Sequence, residues 1–189
     1  MIRYLIPSDY NMQLQSEIRT FLHGTSDTRM LQSESAALSQ VKSYLMGRYD
    51  VAKVFPKLFL FQDGVSYSAE DYCFFKGELE DDTAYKVYRC LQDTAGETPL
   101  DTDYWEEDDP RDSLVVMYSI DIALYHAYSA FAMGDVPAHR KQRFDEAMEW
   151  LAGVAQGQIE ADLPRKEITE GNPFISLRYG SHLREDHRY

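Results

Sequence analysis

Apolar residues recur at helical spacing in four stretches of this chain, and between the second and third the pattern breaks into short aromatic and aliphatic runs. Ser8 or Asp9 can cap a first helix, after which Leu14, Ile18, Phe21 and Leu22 share a face until Gly24 stops it. From about Leu31 the positions Leu31, Leu38, Val41, Leu45 and Tyr49 return at threes, fours and sevens, so a second helix is predicted to end near Tyr49–Asp50. Pro110-Arg111-Asp112 opens a third, in which Leu114, Met117, Tyr118, Leu124, Tyr125 and Tyr128 form a stripe interrupted by one acid, Asp121. It should run to about Met133. Gly134-Asp135-Val136-Pro137 then supplies a stop, a cap and a first-turn proline, and Phe144, Ala147, Met148, Leu151 and Val154 face inward along a fourth helix ending near Gly157.

Between these helices, residues 51–111 carry Val54-Phe55, Leu58-Phe59-Leu60-Phe61 and Tyr72-Cys73-Phe74-Phe75, separated by Gly, Asp and Pro. The segment from Ala84 to Leu91 alternates well enough for a half-buried strand, and Asp93-Thr94-Ala95-Gly96 reads as a turn. A small inserted sheet is the expectation. From Ile159 to Tyr189, the residues Pro164, Gly171, Pro173 and Gly180 argue against a long regular element, so this stretch reads as an arm. The predicted organisation is a helical core in two parts, 1–50 and 112–158, a β/loop subdomain at 51–111, and an extended C-terminal arm at 159–189.

Composition narrows the function classes. Over 189 residues the net charge is −13, which argues against a protein that grips phosphates, because such affinity comes from Lys and Arg releasing counterions. The same charge suits a wall that DNA passes without sticking. Hydrophobic residues make up 44% and aromatics 13%, enough to bury a core and to exclude a disordered chain. Two cysteines, Cys73 and Cys90, lie outside any CxxC pair, the opening residues are too short for a secretory leader, and no stretch approaches the roughly 20 apolar residues of a membrane span. No membrane partner is expected, and a reduced cytoplasm is the expected setting.

Catalysis would need a nucleophile with a base, a set of metal ligands, or paired carboxylates in different environments. The five histidines, His23, His126, His139, His182 and His187, are scattered. The run Glu106-Glu107-Asp108-Asp109 lacks the spacing and glycine of a calcium loop, so it reads as a solvated, self-repelling loop rather than the metal site of a hydrolase. No Gly-rich phosphate loop follows a strand. The reading is therefore no enzyme, no metal and no cofactor. Tyr85, Tyr88, Tyr104 and Trp105 are rings that either stack on a glycan or partner or form a miniature core; the core is preferred, since a small sheet with few aliphatics must bury aromatics.

Two blocks carry a resemblance. One is the stretch from Ala37 to Tyr49, with its YLxxRY-like end at Tyr44-Leu45-Met46-Gly47-Arg48-Tyr49. The other joins Tyr118-Ser119-Ile120-Asp121-Ile122-Ala123-Leu124-Tyr125 to Arg143-Phe144-Asp145-Glu146-Ala147-Met148-Glu149-Trp150-Leu151 and Gly157. In this order they resemble the Mu-like phage and prophage family of small virion proteins (gene-product-thirty-six-like), a domain of unknown function whose gene lies between the major head and tail genes. The resemblance covers the helices, about half of the chain, and residues from about Val51 to Pro110 depart from it as a long insertion. The helical core is similar to head-tail adaptor, or connector, proteins, which form rings under the portal in the DNA exit path. Tyr88 to Trp105 also looks like small carbohydrate-binding β modules.

The resemblance implies a mainly α fold: an adaptor-like core of about four helices with an inserted small β subdomain and an extended C-terminal arm. It implies a structural virion protein made in the host bacterial cytoplasm and carried in the virion, a head-tail adaptor or head-completion component. Its partners would be the portal protein, tail proteins and further copies of itself in a ring, with DNA passing through unbound. A ring of about a dozen acidic subunits would present DNA with a repulsive bore; the family implies the ring and composition permits it. Partner contacts are expected at Tyr104 and Trp105 and, on the arm, at Arg178, Tyr179, Arg184, Arg188 and Tyr189. The alternative is a binding module whose aromatic insertion holds a glycan or a decoration partner.

Overall fold

The computed structural model describes residues 2–11, 27–77, 84–130 and 135–167. In chain order they form β1 (Ile2–Arg3), a 3-10 turn (Pro7–Tyr10), α1 (Asp27–Leu45), the short α2 (Val51–Val54), β2 (Leu58–Leu60), β3 (Ser66–Tyr67), β4 (Tyr72–Phe75), β5 (Lys86–Cys90), β6 (Thr94–Ala95), β7 (Trp105–Glu107), α3 (Ser113–Ala130) and α4 (Ala138–Gln156). The helix expected to start at Ser8 or Asp9 lies, beyond its first 3-10 turn, outside the described residues.

Helix ends follow local chemistry. The Asp50 carboxylate accepts from the N–H groups of Ala52 and Lys53, which starts α2 immediately behind α1. Asp112 does the same for Val115 at the head of α3, at 2.8 Å. Helix α4 closes on Gly157 in the left-handed region (φ 76°), with the N–H groups of Gln158 and Ile159 returning to the Gly153 carbonyl. Ile159 lies directly over Gly153, where an added Cβ would come within 2.7 Å of its side chain.

Helices α1, α3 and α4 pack together around Met30, Ala37, Val41, Leu45, Ile122, Leu124, Ala147, Leu151 and Val154. Helix α3 is central, so it is buried on more than one side: Val115, Ser119, Ile120, Asp121, Ile122, Ala123, Leu124 and Ala127 are all enclosed. The stripe read from sequence is correspondingly off, since Leu114 is 43% exposed. A helix flanked on several faces loses the one-sided periodicity by which a stripe is recognised.

The expectation of a mainly α chain is overturned: helix and sheet share the fold, an α/β mix. The main sheet has five strands in the order β1-β2-β4-β5-β7, mixed in sense, with β2 parallel to β4 and the other pairs antiparallel. A second sheet pairs β3 with β6. Nor is the sheet purely an insertion. Ile2 and Arg3 pair with Phe59 and Leu58, so the start of the chain supplies an edge strand.

Strand alternation sorts the sheet into two faces. On one, Cys73, Tyr88, Cys90 and Trp105 cluster with Tyr67. On the other, Leu58, Phe74 and Val87 pack with Ile6. The predicted strand at 84–91 appears as Lys86–Cys90, whereas Thr94–Ala95, read as a turn, is a short strand. The start of the expected arm is docked rather than extended: Leu163 joins the helical core, Asp50 N–H bonds the Pro164 carbonyl, and the Ala161 N–H donates to the Tyr49 hydroxyl. Residues beyond Glu167 lie outside the described residues.

Candidate functional site

The resemblance blocks meet at the seam between α3 and α4. Asp121, the acid that interrupts the apolar stripe, has a side chain only 2% exposed, and Arg143 Nε donates to it at 2.7 Å while Arg140 stands 3.9 Å away. Burial pushes the Asp121 carboxyl above its ordinary value, and the Arg143 hydrogen bond and charge pull it back. Tyr125 stacks on Phe144 at 4.0 Å between ring centres, and Tyr118 meets Trp150 at 4.9 Å. Immediately after Tyr125, His126 Nε2 lies 3.1 Å from Gln40 Oε1 of α1, and burial lowers its affinity for a proton. Every motif residue in this set is engaged with a neighbouring helix.

Beside the seam, Arg111 clasps the N-terminal segment to the head of α3. Its side chain is 3% exposed and donates to Asp9 at 2.6 and 3.0 Å, to Asp109 at 2.7 and 2.8 Å, and to the Tyr4 carbonyl at 2.7 Å. Burial opposes the guanidinium charge, but the bonds to Asp109 and Asp9 outweigh it and hold the proton more tightly than usual. Asp9 is pushed the other way from a typical ion-paired acid: burial raises it, and Arg111 only partly compensates. The clasp borders a cleft of about 680 Å³ lined by Leu114, Met117 and Ile120, with Arg111 and Arg143 at its rim. Both arginines are already paired with acids, so the cleft offers apolar contact rather than a free cation.

Trp105 does not form a surface platform. It is 2% exposed, ringed by Phe61 at 6.1 Å and Tyr67 at 5.3 Å, and its Nε1 donates to the Glu97 carbonyl at 3.0 Å. Tyr104 is half-buried against the same cluster. Cys73 and Cys90 are both buried free thiols there, and burial, then the neighbouring Cys90, pushes the Cys73 thiol up to about 12. Arg178, Tyr179, Arg184, Arg188 and Tyr189 lie outside the described residues.

The acidic run is partly neutralised from within. Arg89 reaches Glu106 at 2.9 Å and Glu70 and Asp108 at 3.5 Å, and Lys86 holds Glu107 at 2.7 Å. Among the described residues no three His, Cys, Asp or Glu side chains gather as a metal site, and no helix is long and apolar enough to cross a membrane. The Arg111 clasp escaped sequence reading, since its partner Asp9 is 102 positions away. Asp121 carried a signal, an acid within an apolar stripe.

Comparison of the chain with family models, curated proteins and solved structures returned no match.

Proposed function

We propose that this chain is a structural protein of a tailed phage or prophage particle, acting without catalysis between head and tail as an adaptor or head-completion component. Its partners in this reading are the portal protein, tail proteins and further copies of itself, with DNA passing unbound, first in the host bacterial cytoplasm and then in the virion. The observation that supports it is the seam: residues of the resembling motifs, Asp121 with Arg143, Tyr125 with Phe144, Tyr118 with Trp150, are used to lock helices to one another. Residues with that job specify a scaffold, and a scaffold presents its surface to partners. The net charge of −13 favours a protein that DNA slides past.

The test is genetic and physical. Removing the gene from the producing phage or prophage should leave filled or unfilled heads without joined tails in electron micrographs. Normal, tailed, infectious particles from the deletion strain would end the proposal.

A further inference from the structure

The chain passes from α1 into the sheet through two local devices, and together they leave a cleft. The Asp50 carboxylate starts α2 behind α1, and Pro56 stops it after one turn, because a residue before proline is pushed out of the helical region. The chain then enters β2 at Leu58. Beside α2 and strands β2 and β4 lies a cleft of about 700 Å³ with an apolar floor of Val51, Ala52, Phe55, Pro56 and Phe59. It continues along α1 as a second groove of about 310 Å³, since Lys42, Phe55, Pro56 and Lys57 line both. Charge along this trough has a direction. Lys42, 4.9 Å over the Phe55 ring, and exposed Lys57 stand where the grooves join, and Glu70 and Asp71 stand at the start of β4. Among the described residues Lys42, Lys57 and Asp71 form no ion pair, and Glu70 has only Arg89 at 3.5 Å.

The last described residues lie against α2. Pro164 to Lys166 run antiparallel to Arg48–Asp50, with the Asp50 N–H on the Pro164 carbonyl at 2.9 Å and the Lys166 N–H on the Arg48 carbonyl at 3.1 Å. Lys53, next in sequence to Ala52 on the cleft floor, then holds Glu167 at 3.4 Å. Residues 168–189 follow, and in them an acid, an apolar run and a base come in order: Glu170, Phe174-Ile175-Ser176-Leu177, Arg178. An extended chain covers about 3.3–3.6 Å per residue, so the link from Glu167 to Phe174 can span the single turn of α2 several times over.

We infer that the segment 168–189 folds back on its own chain and seats in this cleft. Phe174, Ile175 and Leu177 meet the Phe55–Phe59 floor, Glu170 lies toward Lys42 and Lys57, and Arg178 lies toward Glu70 and Asp71. Apolar centre meets apolar floor, and each charge meets its opposite in the order in which the chain presents them, the complementarity that fixes register. A short tether holds the segment at an effective concentration of about millimolar, so even a weak seat is filled without a partner. The seat stands apart from the head-tail reading. Its consequence is that Arg178 and Tyr179 reach another protein only after the cleft releases them.

Paramagnetic broadening of amide signals in the full chain tests the seat. A spin label on Ser68→Cys, an exposed position beside the Glu70 and Asp71 end of the cleft, should abolish the signals of Phe174 to Arg178. A label on Gln142→Cys, exposed near the opposite end of α4 from Gly157, should leave them intact. Cys73 and Cys90 are buried and stay in place. Phe174→Asp, which removes the central apolar contact, should return the signals in the Ser68→Cys chain. Signals untouched by the Ser68 label, equal broadening from both labels, or a Phe174→Asp chain broadened like its parent would overturn the seat. So would broadening in a mixture of spin-labelled chain with isotope-labelled chain that carries no spin label, since the segment would then occupy the cleft of a second copy.

Discussion

Replacing Arg111 with Met should be among the most damaging single changes in this protein, and the reason lies with the partner left behind. Asp9 is only 10% exposed and Arg111 supplies both of its cationic hydrogen bonds, while Asp109, 45% exposed, can turn to water. Met keeps much of the buried stem, so the loss is chiefly electrostatic: an uncompensated buried carboxylate costs about 3–5 kcal/mol, against a total stability of about 5–15 kcal/mol for a domain. Asp9→Asn alone should cost about 1.5–3 kcal/mol, because Arg111 keeps Asp109 and Asn still offers an oxygen to the Ile6 N–H. In the double variant no charge is stranded, so at least about 2 kcal/mol of the summed loss should be recovered.

Urea unfolding followed by circular dichroism, with linear extrapolation, measures all four corners of this cycle. The pH dependence gives an independent sign. Asp9 is already raised by burial, and without Arg111 it rises further, so the folded variant holds a proton at a pH where the unfolded chain has released it. Stability of Arg111→Met relative to wild type should therefore improve as pH falls through that raised value toward the ordinary carboxylate range, where the difference levels off. A single-variant cost below about 1 kcal/mol, or strictly additive losses in the cycle, would refute the stranded-charge argument.

Other outcomes follow from the same geometry. Trp105→Ala, which empties a 2%-exposed site between Phe61 and Tyr67, should cost about 3–5 kcal/mol in urea, and a loss under about 1 kcal/mol would contradict its burial. With its thiol pushed up to about 12, Cys73 should resist a thiol-disulfide reagent at pH 8 until urea unfolds the chain; rapid labelling of the native protein at Cys73 would show the site open. His126 is depressed by burial below its ordinary 6.5, so the unfolded chain takes its proton first and stability should fall as pH drops through 6.5. His126→Gln should flatten that fall in urea midpoint against pH, and an unchanged slope would assign it to other groups.

Sequence by itself determined the long helices and their stops, because Val41, Leu45, Ala147, Leu151 and Val154 repeat at helical spacing and Asp112 and Gly157 act on their own neighbours. Such signals are local, so they survive without knowledge of the rest of the chain. It also marked Asp121 as anomalous, though not its partner. Tertiary structure alone decided that the fold is an α/β mix rather than mainly α, since strands of two to five residues are too short to show a period and Ile2–Arg3 becomes a strand only when Phe59 and Leu58 lie beside it. Trp105 had two sequence readings, core or platform, and became core through contact with Phe61 and Tyr67, residues about 40 positions away. Arg111 and Asp9 stand 102 positions apart, and no spacing rule joins charges across that distance; only the packing of the N-terminal segment on α3 brings them to 2.6 Å.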